Sequence, residues 1–169
     1  EDDVGFDVFA MSARQTAQKI AAGEISSVEV LDTYLARIAR LNLDLNALVA
    51  TDFERARARA VEADAALACG ENWGPLHGVP IAIKDLCNTE GVPTAAGMAI
   101  HRDNVPSRDA TVVARLKQAG AVILGKLQMT EGAYGAHHPS IPAPLNPWNA
   151  AYWTGSSSSG SGAATAAGA

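Results

Sequence analysis

The chain has 169 residues, 48% apolar composition and a formal charge of -5: enough for one domain with a real core, or part of one, and too short for two comfortable ones. Its basic residues are dispersed among acidic ones, so the electrostatic footprint that a phosphate backbone needs is missing and nucleic acid is not expected as a direct partner. No apolar stretch reaches membrane-spanning length, and the start, Glu1-Asp2-Asp3-Val4, has neither the positively charged n-region nor the apolar h-region of a secretory leader.

Cys69 and Cys87 form no CxxC pair, which implies neither a disulfide framework nor a zinc knuckle and makes a reducing, cytoplasmic setting the default. Both thiols read as buried or bystander groups.

Helices are expected first. Ser12 precedes a run carrying Ala13, Ala17, Ile20 and Ala21, with Gln15 placed to complete a capping box, and Gly23 stops it. Ser26 with Glu29 repeats the box, and Leu31, Leu35 and Ile38 share one face of a second helix ending near Leu41. Residues 46–50 read as a short strand. Thr51 and Glu54 then open a third helix, which closes at Gly70. Residues 1–72 are thus a mainly helical lead-in.

From residue 73 the grammar changes to turn residues, Pro75-Leu76-His77-Gly78-Val79-Pro80, which bound a short buried strand at Ile81-Ala82-Ile83 with Lys84 at its end. Asp109 is a candidate N-cap for a helix with Val112, Val113 and Leu116, stopped at Gly120, and Ala121-Val122-Ile123-Leu124 reads as the next strand. Strand, helix and strand in succession place the chain in the α/β class, with N-terminal helices followed by part of a mixed, mostly parallel sheet covered by helices. Gly132 to Trp153 is a long loop of the kind that carries function. The last fifteen residues, GSSSSGSGAATAAGA, read either as a flexible linker or as a loop entering a tightly packed helix. In the second case N–H groups and hydroxyls gather at a helix N-terminus, a place suited to developing negative charge.

Lys84 has a plain reading, a surface lysine paired with Asp85. Its place at the carboxyl end of a buried strand suggests more, because ligand sites in parallel sheets lie there and a desolvated lysine can serve as a base. Gly120 to Lys126 imitates a phosphate-binding P-loop, but Leu127 stands where Ser or Thr would ligate magnesium, and the glycines bracket the strand instead of following it. His137-His138 lacks nearby acidic or thiol partners, so packing and hydrogen bonding are favoured over a metal site. No GxSxG or SxxK pattern surrounds any serine.

Three blocks together resemble the amidase signature family of Ser-cisSer-Lys amidohydrolases: GPLHGVPIAIKD at 74–85, GAVILGKLQMTEGAYG at 120–135, and NPW followed by TGSSSSGSGAATAAG at 154–168. The leading pattern IAAGEISSVEVLDTYLARIARLN is similar to the family's first helices, so the likeness runs from about Ser12 to the end. It implies that residues 1–169 are the N-terminal portion of a single amidase signature domain, with 73–169 the start of its catalytic core.

By the same resemblance Lys84 matches the family lysine and Ser157 the serine preceded by a cis peptide bond. Ser158 and Ser161 would support the network, while Met129 and Tyr134 match positions near the acyl pocket. The implied chemistry is hydrolysis of a small-molecule carboxylic amide through an acyl-enzyme, without metal or cofactor. The nucleophilic serine and its oxyanion hole are expected beyond residue 169, in the remainder of the amidase chain, so this stretch alone is expected to be inactive. Two alternatives stay open: a catalytically silent fragment or subunit, and an A-type amidotransferase component releasing ammonia from glutamine. A homodimer also stays open. Ser156 and Ser159 depart from a common family form, which has glycine there, and residues 137–146 lack the wording of the tRNA-amidotransferase loop.

Overall fold

The computed structural model describes residues 7–169; the acidic start at Glu1 to Val4 lies outside the described residues. Among the described residues five α-helices and three strands follow in the order α1 (Ala13–Ala21), α2 (Ser27–Leu45), β1 (Leu48–Thr51), α3 (Phe53–Ala68), β2 (Pro80–Lys84), α4 (Thr111–Gln118), β3 (Val122–Leu127) and α5 (Ser159–Ala167).

Both expected capping boxes form. Ser12 Oγ accepts from Gln15 N–H at 3.3 Å while Gln15 Oε1 accepts from Ser12 N–H at 2.8 Å. Ser26 and Glu29 exchange the same pair at 3.1 and 2.8 Å, and the Ser26 N–H and hydroxyl, both donating to the Glu29 carboxylate at 2.8 Å, hold that carboxyl below its ordinary range. The start of α2 is also capped from a distance, since Asp64 on α3 accepts from the N–H groups of Ser27 and Val28 at 2.7 and 3.1 Å. Helix α2 runs to Leu45, past the expected stop at Leu41, because Asn46 supplies the left-handed C-cap with φ 52°.

Two expected caps fall elsewhere. Thr51 belongs to β1, and α3 begins after Asp52. Asp109 does not cap α4, whose N-cap is Ala110; its carboxylate instead accepts from Glu90 N–H at 2.8 Å and from Lys117 Nζ at 2.7 Å. A lysine two turns into the helix competes successfully for the oxygen that a cap would use. Of the two thiols read as buried or bystander groups, Cys69 lies exposed at the end of α3 and Cys87 is partly buried.

The sheet order is β1-β3-β2, with β2 parallel to β3 and β1 antiparallel to it. Helix α4 is the crossover between the parallel pair. Every residue of β3 is buried, and its side chains divide by alternation: Val122 and Leu124 join Leu31, Ile38, Ala56 and Ala60 of α2 and α3, whereas Ile123 joins Val113 of α4 and Ile83. Gly125 is required where β1 passes, because a Cβ there would stand 2.5 Å from Ala50 O. Helix α5 adds Ala163 and Ala164 to the larger cluster, so its small side chains let its backbone sit close to the sheet.

Candidate active site

Lys84 closes β2, at the carboxyl edge of the parallel pair. The plain pairing with Asp85 is not what forms. Successive strand residues point to opposite sides, and Asp85 is directed inward. Its carboxylate accepts from Ala95 N–H at 3.2 Å and Gly97 N–H at 3.2 Å, and Lys126 Nζ stands 3.9 Å away. Burial pushes the Asp85 carboxyl up from its ordinary value, opposed by the Gly97 bond and the Lys126 charge. Burial pushes Lys126 down, opposed by the Asp85 charge. Desolvation therefore outweighs mutual attraction for both partners. Lys126 is fully buried and donates to Cys87 O at 2.6 Å and Thr94 Oγ1 at 2.8 Å, so the P-loop-like lysine serves the interior.

Lys84 turns the other way and meets the terminal serines. Its Nζ lies 2.9 Å from Ser157 Oγ and 3.0 Å from Ser158 Oγ. The serines occupy the two corners of a turn closed by Ser159 N–H donating to Ser156 O at 3.1 Å, and α5 starts directly behind it. The Gly/Ser run is therefore the loop entering a packed helix, and no linker.

Two contacts fix the base of that turn. Gly160 N–H donates to Gln128 O at 2.9 Å, and a Cβ at Gly160 would stand 2.6 Å from Ala47 O and from Gln128 O. Ser159 is fully buried and its Oγ is 2.9 Å from His137 Nε2.

One expectation is corrected. There is no cis peptide bond among the described residues, and the bond before Ser157 is trans. A cis bond before a non-proline residue costs about 2.5–4 kcal/mol, and the trans turn already brings both corner hydroxyls to Lys84.

The remaining named residues scatter. Ser161, half-buried in the first turn of α5, makes no hydrogen bond with Lys84 or Ser157 among the described residues. Met129 is buried just past β3, while Tyr134 is 83% exposed on the following loop, so the two do not form one surface. His137 and His138 serve different partners, since His138 Nδ1 accepts from Ser140 N–H at 3.1 Å. Burial lowers the His137 ring below the ordinary histidine value. Ser158, expected from the resemblance to support the network, stands as close to Lys84 as Ser157 does. The inward role of Asp85 is not visible in the sequence pattern.

The family model "Amidase" matches residues 29–169, and the chain belongs to that family. It is 54% identical over 154 residues to a putative amidase, AmiD, of Mycobacterium tuberculosis, covering 91% of this chain and 32% of that protein. It is 47% identical over 160 residues to the A-type component of the glutamyl-tRNA(Gln) amidotransferase of Anaeromyxobacter dehalogenans, covering 94% of this chain and 32% of that one.

Among solved structures, fatty acid amide hydrolase superposes with a TM-score of 0.90 at 29% identity, over 99% of this chain and 30% of its own. Peptide amidase from Stenotrophomonas maltophilia does so with 0.84 at 31%, over 95% and 34%. The architecture is thus that of the amidase signature fold. The chain spans about a third of the length of the curated relatives it matches.

Proposed function

We propose that these residues supply the base and relay half of an amide-hydrolysing site. Lys84 is the base, Ser157 the relay, and the nucleophilic serine comes from residues following 169 in a longer polypeptide. The observation that carries this is the 2.9 Å contact between Lys84 Nζ and Ser157 Oγ, made at the carboxyl edge of a parallel strand pair.

With Lys84 in its neutral form, Nζ takes the proton of Ser157 as Ser157 takes that of the nucleophile. The nucleophile's oxygen then bonds to the carbonyl carbon of a small carboxylic amide. As the carbon–nitrogen bond breaks, the proton returns from Lys84 through Ser157 to the departing amine. Water, deprotonated by the same route, hydrolyses the acyl ester and restores the serine. Ser158 holds the ammonium or amine of Lys84 in line, and no metal or cofactor enters a step.

The test uses the complete polypeptide that carries these residues, treated with an alkyl fluorophosphonate and digested to map the label. The label is expected on a serine after residue 169, and Lys84→Ala is expected to suppress labelling. Label on a serine at or before residue 169 overturns the assignment.

The 47% identity to an A-type amidotransferase component favours a second reading, glutamine hydrolysis delivering ammonia to a partner protein. Release of ammonia from glutamine only in the presence of the other amidotransferase components would select it.

A further inference from the structure

We propose that His137 is a positioning residue, a strut that holds the Ser156–Ser159 turn so that its corner hydroxyls reach Lys84. The inference rests on the relay described above and adds a member to it.

Ser159 is the closing residue of the turn. Its N–H bonds back to Ser156 O at 3.1 Å, which sets where Ser157 and Ser158 stand. Its side chain is fully buried, so its hydroxyl must find a partner inside the protein. That partner is His137 Nε2 at 2.9 Å. The turn has no regular ladder to fix its orientation. Besides the Lys84 contacts and the bond from Gly162 N–H to Ser158 O at 3.1 Å, it is anchored by the backbone bond of Gly160 to Gln128 O on one side and by the His137 ring on the other.

A strut transmits position only if its own end is fixed, and the loop carrying His137 is tied down on both sides. Glu131 N–H donates to Ala136 O at 2.9 Å, immediately before the ring. Beyond it, Pro142 O accepts from Gln128 Nε2 at 3.3 Å and from Asn46 Nδ2, and Leu145 N–H donates to Leu45 O at 2.9 Å. Gln128 thus holds the loop through its side chain and α5 through its backbone oxygen. The centroid of the Trp153 ring stands 6.4 Å from that of the imidazole, tilted by 58°. His137 therefore joins a loop fastened to β3 and α2 to the turn that faces Lys84. Among the described residues it makes no hydrogen bond with Lys84 or Ser157, and it acts through Ser159.

The experiment compares His137→Leu, His137→Gln and Ser159→Ala in the complete polypeptide, by amide hydrogen exchange over residues 156–162 and by the rate of fluorophosphonate labelling. Leucine fills the space without a hydrogen bond, whereas the glutamine amide reaches the position of Nε2. Exchange in 156–162 is expected to rise about tenfold in His137→Leu and in Ser159→Ala, as a local opening no longer held. It is expected to return to within about threefold of the parent in His137→Gln. Labelling is expected to fall and recover in parallel. Unchanged exchange in His137→Leu and Ser159→Ala, or no recovery in His137→Gln, overturns the strut. If His137→Leu does not fold, Ser159→Ala and His137→Gln decide by the same criteria. A parent protein that takes no label defeats the amide-hydrolysis reading, and the exchange measurements still decide whether His137 holds the turn.

Discussion

Lys84 Nζ and Ser157 Oγ lie 2.9 Å apart although they stand 73 positions apart in the chain, and Ser158 Oγ is at 3.0 Å from the same nitrogen. Distance does not choose between the hydroxyls; environment does, since Ser157 is half-buried and Ser158 exposed. A relay must exclude bulk water to pass a proton in one direction, which favours Ser157. In the complete polypeptide Ser157→Ala is expected to lower kcat by about 10³-fold or more, the scale seen when one member of a coupled catalytic set is removed. Ser158→Ala is expected to cost no more than about tenfold, as the loss of an orienting hydrogen bond. Equal losses would move the relay role to Ser158 or divide it.

Gly160 is where α5 meets the sheet. Its added Cβ would stand 2.6 Å from two backbone oxygens, Ala47 O and Gln128 O, and neither can swing away as a side chain could. Gly160→Ala is therefore expected to push α5 outward and cost about 1–3 kcal/mol, the range of overpacked interiors. Thermal unfolding should record it. An unchanged midpoint would show that the Ala47 and Gln128 backbone gives way more easily than two hydrogen-bonded segments should.

Much of this arrangement was legible from local grammar. Ser12 with Gln15 and Ser26 with Glu29 announce helix starts because each pair needs only residues three apart. The parallel pair followed from Ile81 to Ile83 and Ala121 to Leu124 enclosing a helix-length segment. What escaped depends on partners distant in the chain. Asp109 has the right chemistry for a cap, yet Lys117 and the Glu90 amide take its oxygens. Asp85 looked like a neighbour for Lys84, yet strand alternation sends it to Lys126 and to the 95–97 loop. Lys84 and Ser157 could be paired only through resemblance, because no spacing rule joins residues 84 and 157. The bond before Ser157, expected cis on that resemblance, is trans.

Lys126 and Asp85 form a buried pair whose charges both suffer from desolvation. Lys126→Met removes the cation and leaves the Asp85 carboxylate facing two N–H groups with no counter-charge. The expected cost is about 3–5 kcal/mol, the usual penalty for stranding one member of a buried pair. Adding Asp85→Asn should recover part of it, since the amide oxygen still accepts from Ala95 and Gly97 without carrying charge. A double-mutant cycle in urea measures the coupling. Additive losses would show that the 3.9 Å separation carries no interaction worth the name.

Asp109 offers a test with a definite sign in pH. Burial pushes its carboxyl up, but the hydrogen bonds from Lys117 and the Glu90 amide prevail and hold it below 3.8 in the folded protein. A depressed folded value means that the folded state binds the proton less tightly than the unfolded chain. The stability contribution is then fully present above the unfolded value of 3.8 and disappears as the pH falls through the lower, folded value. Asp109→Asn is accordingly expected to destabilise the protein at neutral pH by up to about 1 kcal/mol, since the lysine end of the pair is partly exposed and screened. The gap between variant and parent should close below pH 3.8. A urea midpoint measured across that window, showing a gap that persists at acid pH, would mean that Asn fails as a neutral acceptor for Glu90 and that charge is not what Asp109 contributes.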